Sequence, residues 1–405
     1  MRIRTFNALR PAAEKVSEIA SLPYDVVKTE EARELAEGNR LSFLHVVRAE
    51  IDFPKGTNPY DDAVYAKAVS NLKALVDRGD LVRDGENCLY VYQQKMGDHV
   101  QQGIVGLCHV EDYQNNLIKK HEKTRQEKED DRTRLTSELS ANSGPVFLTY
   151  QDQEEINGLV KATVASDPVY DFVASDGIGH TVWKVDANEA LLEAFKPVSC
   201  FYVADGHHRS ASAARVGAER KAANPNHTGE EDYNWFLCVM FPASHLKVLP
   251  YNRLVESLNG RSASKFLEEV KKACPVKEVN YDTPDAPGKV CMYLDSKWYE
   301  LDFSGKTPDN PVDRLDVSHL QSKILAPLLA VEDPRTASHI EFAGGIRGTS
   351  YLKDSVDNGD HAVGFSMYPV TILQLMDISD ADEIMPPKST WFEPKLRSGL
   401  LINTF

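Results

Sequence analysis

The sequence predicts a mixed α/β (α+β) fold in several lobes, on three observations. At 405 residues the chain exceeds the usual reach of one hydrophobic core, so it should divide into two or three domains or lobes. Its 42% hydrophobic and 26% charged residues are those of a folded globular chain. Strand-like and helix-like segments alternate through its middle, which is the pattern of an α/β unit.

Taken in order, "TEEARELAEGN" has Thr29 as a capping residue, acidic residues in the first turn and a stop at Gly38-Asn39, so it reads as a short helix. "LSFLHVVRAEID" reads as a strand, with period-two alternation setting Arg48, Glu50 and Asp52 on one face. "YDDAVYAKAVSNLKALVDRGDL" has apolar residues at three- and four-residue intervals and stops at Gly79, as a helix on a sheet should. "CLYVYQQKM" and "GIVGLCHVEDY" form a strand pair across a Gly-Asp turn. These segments make up an N-terminal α+β region over residues 1–110. "IKKHEKTRQEKEDDRTRLTSEL" carries both signs of charge and little apolar surface, so it reads as a solvated linker or exposed helix and not as a core element.

The strands "GPVFLTY", "HTVWKV", "CFYVAD" and "NWFLCVMFP" then alternate with the helices "EEINGLVKATVA", "ANEALLEAFK" and "SASAARVGAER", the last ending at Gly217. An α/β unit over about 145–250 follows from this alternation, and with the charged stretch before it makes a core region over 111–250. Residues 251–405 read as a C-terminal α+β lobe; the family resemblance described below implies that its tail, 386–397, returns to the cleft.

A formal net charge of −15 argues against a broad nucleic-acid footprint, which needs Lys and Arg to release condensed counterions. A small anion in a local basic pocket is compatible with that charge. The six cysteines form no CxxC pair and read as buried thiols in a reducing compartment. With no apolar run of about 18 residues and no apolar segment after the charged start, neither a membrane span nor a secretory signal is expected, and the cytoplasm is the default location.

The chemistry concentrates in "CFYVADGHHRSASAARVGAER". An apolar strand runs into Gly206, where the chain can reverse without a Cβ clash, and a helix begins whose positive end attracts anions. Arg209 supplies a planar fork of donors, and His207 and His208 can donate or shuttle a proton. Asp205, at the strand's C-terminal edge, can orient a hydroxyl or hold a metal ion. The cluster predicts a phosphate or nucleotide site.

These residues carry a resemblance. "YVADGHHRSASAARVGAER" resembles the signature of the ParB/sulfiredoxin-like superfamily and is most similar to its free serine kinases. "KKHEKT", around His121-Glu122, resembles the segment holding that kinase's catalytic glutamate, and "DEIMPPKSTWFEP" resembles its C-terminal element. The chain as a whole, including "LPYDVV" and "PPKSTWFEPKLRSGL", is identified as a member of a long bacterial family known only as domain of unknown function 1015.

The resemblance implies a ParB/sulfiredoxin-like nucleotide-binding core flanked by the two α+β lobes. It also implies a kinase that moves a phosphoryl group from ATP or ADP to free L-serine with Mg²⁺. Carried over by position, Glu122 is the base, and Asp205, His207, His208 and Arg209 surround the phosphoryl group. Lys388, Ser389 and Thr390 close the cleft around substrate. Lys120, Lys123 and Arg125 ride with His121 and Glu122 on the charged stretch, which then acts as a mobile lid. Ser210 departs from the archaeal kinase, which has a large aromatic there. The alternative is a ParB-like regulator binding CTP or ATP, or a DNA-associated protein, without kinase activity. Sulfiredoxin-like repair would need a thiol where this chain has His207.

Three further features complete the reading. Pro23 before Tyr24-Asp25 makes "LPYDVV" a rigid turn. "IEFAGGIRGTSYLKD" matches no nucleotide-loop pattern and reads as a turn, while His180, His319, His339 and His361 lack metal-ligand spacing and read as structural.

Overall fold

A computed structural model describes residues 1–305 and 308–405. The chain forms two units, the first from residues 1–246 and 394–405 and the second from 247–393.

The first unit is built on a nine-stranded mixed sheet. Its order is Ile118–Lys119, Phe201–Asp205, Val146–Tyr150, Trp235–Pro242, His99–His109, Tyr90–Met96, Gly179–Lys184 and Tyr170–Val173, with Ile3–Arg4 also paired to His99–His109. Phe201–Asp205 runs parallel to Ile118–Lys119, and Trp235–Pro242 parallel to Val146–Tyr150, while the other neighbours are antiparallel. Strands from the first 110 residues and from the expected core therefore share one sheet. The fold is mixed α/β, as the alternation predicts. Val91, Ile104, Leu148, Val203, Phe236 and Met240 fill its core.

The helix His207–Ala223 runs straight through Gly217 instead of stopping there. A Cβ at Gly217 would lie 3.1 Å from the Tyr233 carbonyl oxygen and 3.3 Å from Val110, so this glycine permits close helix packing and does not terminate the helix.

The segment expected as a strand is helical: Leu44–Val47 is a short α-helix and Ala49–Asp52 a 3-10 turn. Local hydrogen bonds override the strand propensity of its valines. The Ser42 hydroxyl accepts from the Leu44 amide, and His45 Nδ1 lies 2.7 Å from Asp52 Oδ1. Phe43, Leu44, Val46, Val47 and Ile51 can then all face a second apolar cluster with Leu72 and Leu75 of the helix Asp62–Asp77. Arg48, Glu50 and Asp52 accordingly make no strand face; Arg48 pairs with Glu50 at 3.2 Å. Thr29 is the first residue of its helix, after a Lys28 cap.

The charged stretch also differs from the expectation of a solvated element. Helix Gln126–Leu139 buries Asp131, Thr133, Leu135 and Leu139. The Tyr65 hydroxyl donates to Asp131 at 2.8 Å, Arg134 covers the Tyr65 ring, Arg132 covers Tyr24, and Arg215 reaches Asp130 at 2.6 Å. Paired charges and ring contacts dock this helix where apolar surface is scarce.

The second unit is a six-stranded antiparallel sheet in the order Val276–Val279, Lys297–Asp302, Lys289–Leu294, Val363–Met367, Tyr251–Val255, Ile340–Gly344. Helices Ala263–Ala273 and Ile372–Asp380 flank a core of Phe266, Val290, Met292, Leu301, Phe365 and Ile378. "IEFAGGIRGTSYLKD" is the strand Ile340–Gly344, a short turn and the helix Gly348–Asp357, and so is more than a turn. Among the described residues no helix is long and apolar enough to cross a membrane.

Candidate functional site

The strand Phe201–Asp205 ends at Gly206, whose φ of +95° turns the chain directly into the 17-residue helix His207–Ala223. A Cβ here would adopt a strained conformation and sit 3.1 Å from Arg209 Nε, so glycine answers both demands. The first helical amides have no partner within their own helix and face outward at its positive end. Ser210 turns its hydroxyl back to the Gly206 carbonyl at 3.1 Å.

Asp205 is gripped from several sides. One carboxylate oxygen accepts from the Gly206 amide at 2.7 Å, and the other lies 3.1 Å from Lys395 Nζ. Arg209 Nη2 stands 3.8 Å from Asp205 and 3.7 Å from Asp25, while its Nη1 donates to the Pro145 carbonyl. Burial opposes the charge on Asp205, but Lys395 and Arg209 outweigh it and hold the carboxyl well below the usual carboxylate range. Burial likewise opposes the Arg209 charge, and Asp25 and Asp205 reverse the balance and raise it.

Opposite this turn, the strand Ile118–Lys119 leads into His121 and Glu122. The His121 and His207 rings meet edge to face with centroids 4.5 Å apart, and ligand atoms of His121, Glu122 and His207 all lie within 4.8 Å of one another. Both rings are almost fully buried. Burial brings His207 down to about 4, with His208, Arg209 and Lys120 adding to the effect against Asp205. His121 is pushed well below the ordinary value, first by burial and then by His207. Both are neutral imidazoles at pH 7. His208 Nε2 accepts from the Arg125 amide at 3.1 Å, so its proton sits on Nδ1. Burial lowers His208 too, against the pull of Glu122 and Asp25.

The structure therefore brings His121, Glu122, Asp205, Gly206, His207, His208 and Arg209 together. Lys120 lies with its ammonium over the Tyr113 ring at 4.4 Å, and Lys123 and Arg125 are exposed on the loop before helix Gln126–Leu139. Lys388, Ser389 and Thr390 belong to the second unit. There the Lys388 carbonyl accepts from Arg253 Nη2 at 3.0 Å, and the Ser389 hydroxyl donates to the Pro386 carbonyl at 2.7 Å.

Sequence reasoning missed Asp25, Pro145 and Lys395. Asp25 lay inside "LPYDVV", read only as a rigid turn. Lys395 lay seven positions past Lys388 in the same quoted tail, and no local pattern favours one lysine over the other. His180 is structural as expected, lying 2.8 Å from the Tyr92 hydroxyl and 3.0 Å from Arg397 Nε.

Such a turn, with buried cations and a carboxylate-imidazole cluster facing it, defines a candidate anion-binding pocket in a mixed α/β protein. The chain belongs to the family described as "Protein of unknown function (DUF1015)", whose profile matches residues 3–318. No curated protein matches. Among solved structures the chain is similar to a free serine kinase in complex with AMP, at 13% identity, covering 71% of this chain and 86% of that one with a TM-score of 0.36. It is also similar to SbnI with a C-terminal truncation from Staphylococcus aureus, at 11% identity, 73% and 85% coverage and a TM-score of 0.39. A conserved hypothetical protein from Pyrococcus furiosus gives 14% identity, 72% and 92% coverage and a TM-score of 0.37.

Proposed function

We propose that this pocket transfers a phosphoryl group from ATP or ADP to the hydroxyl of a small acceptor, with free L-serine as the first candidate. The observation that carries the reading is the meeting of Glu122 with the Asp205-Arg209 turn around the amide end of a long helix. Phosphoryl transfer needs positioning and stabilisation of charge on the phosphoryl oxygens more than covalent chemistry, and this pocket holds the parts for both.

In this reading Glu122 accepts the proton of the acceptor hydroxyl. The freed oxygen attacks the terminal phosphorus, and the bond from phosphorus to the bridging oxygen breaks, so the donor leaves one phosphate shorter. Arg209 and the helix amides bind the phosphoryl oxygens, His208 donates from Nδ1, and Lys395, Lys120, Lys123 and Arg125 supply further positive charge. Asp205 serves to fix Arg209 and Lys395, each of its oxygens facing one donor, and its remaining lone pairs can face a metal ion that arrives with the nucleotide. Two imidazoles and one carboxylate do not make the oxygen cage that Mg²⁺ prefers, so magnesium would come with the nucleotide's own phosphates. Lys388, Ser389 and Thr390 keep their assignment as substrate contacts within this proposal.

The test is to incubate purified protein with Mg²⁺, ATP or ADP and a panel of amino acids and small hydroxyl compounds. O-phosphoserine should form, and Glu122→Gln should slow it by at least about 100-fold with the circular-dichroism spectrum unchanged. Tight nucleotide binding without product from any acceptor would replace this reading with the ParB-like regulator. The net charge of −15 already stands against the DNA-associated form of that alternative.

A further inference from the structure

The cluster of two buried imidazoles, His121 and His207, with the half-buried Glu122 has a second chemical meaning. We propose that His121, Glu122 and His207 hold a divalent first-row transition ion such as Zn²⁺ or Mn²⁺. Two imidazoles and a carboxylate from sequence-distant elements offer ligand atoms within 4.8 Å of one another, close enough for small rotations to bring them around one ion. His207 Nε2 is buried and meets no hydrogen-bond partner among the described residues. A polar atom left this way costs free energy unless something occupies it, and a cation accepts its lone pair directly.

The surrounding charges are mixed. Glu122 and Asp205 favour a cation, while Lys120 and Arg209 oppose one. The ligand types decide the class of ion: two imidazoles suit zinc and iron, the carboxylate beside them also admits manganese, and magnesium and calcium prefer all-oxygen sets. Three protein ligands leave coordination positions open for water or an acceptor hydroxyl. Glu122 can ligate through one oxygen and keep the other for a proton, so the inference is compatible with the kinase reading; it shares the His121-Glu122-His207 cluster with that reading and adds the partnerless His207 Nε2.

The experiment uses the full chain, stripped with chelator and titrated with Zn²⁺ or Mn²⁺ by calorimetry in excess Mg²⁺, with no nucleotide or acceptor present. One ion per chain should bind, and His207→Ala and Glu122→Gln should each weaken it by at least about 100-fold. Failure of phosphoryl transfer would leave this result untouched. Co²⁺ added to the unaltered chain should give visible d–d bands, which keeps the test decisive if a variant fails to fold. No stoichiometric uptake, no cobalt bands, or equal uptake by the variants would overturn the assignment.

Discussion

The first unit shelters Asp205 and Arg209 beside groups of opposite charge, whereas the second buries Asp316 and Arg253 among neutral partners. Asp205 has Lys395 and Arg209, and Arg209 has Asp25 and Asp205, so each group holds its charge more firmly than in water. Among the described residues Asp316 accepts the Gly288 amide alone, at 2.8 Å, and burial pushes its carboxyl up to about 6. Arg253 donates to the carbonyls of Tyr251 and Lys388, and burial brings it down to about 10. Buried charge is therefore not in itself a sign of a site. A site gathers buried charges of both signs and leaves some of their hydrogen-bonding capacity facing outward, whereas a core satisfies each singly with backbone.

The sharpest way to break this contrast is Arg209→Met. Removing the cation leaves Asp25 without its guanidinium, and denaturant unfolding should show a loss of about 2–3 kcal/mol. Calorimetric titration with inorganic phosphate should show weaker binding as well. A variant as stable as the parent would mean that the pairs in the first unit matter no more than surface ones.

Asp316→Asn tests the other half and has the opposite sign. A folded-state carboxyl raised from 3.8 to about 6 contributes stability below pH 4 that is lost as pH rises through 6. At pH 7 the amide, which still accepts the Gly288 N–H, should therefore stabilise the protein by about 2 kcal/mol. The gain should fade toward pH 4, as read from melting curves across pH. A destabilised variant at pH 7 would show that the carboxylate has a cation partner after all.

Lys395→Gln should give the smallest change, about 1 kcal/mol at pH 7, because Arg209 remains and the pair is partly solvated. A depressed carboxyl contributes stability above the ordinary carboxylate range and loses it on acidification, so the parent and the variant should converge in acid. An NMR titration of the Asp205 carboxyl should move upward in the variant. An unmoved titration would transfer the whole effect to Arg209.

Much of this contrast was legible in the sequence, but unevenly. The strand-glycine-helix passage at Asp205 to Arg209 was readable because composition and turn chemistry coincide within ten residues. The central strands were legible as apolar runs between breakers. Leu44–Val47 was not, because its valines favour a strand in isolation and the helix is settled by Ser42, His45 and Asp52 and by what Leu72 and Leu75 cover. The docking of Gln126–Leu139 was hidden because its partners Tyr24, Tyr65 and Arg215 lie far away in sequence. Lys395 was invisible as a partner of Asp205, since a separation of 190 positions leaves no local trace.

That separation has a consequence for how the protein is made. The carboxylate of Asp205 leaves the ribosome long before the ammonium that neutralises it, with the whole of the second unit translated in between. A nascent chain can lay down the turn and its neighbouring strands early, yet the pocket acquires its final charge only when the tail threads home. Any product ending prematurely within residues 247–393 would carry the turn in an incompletely compensated form.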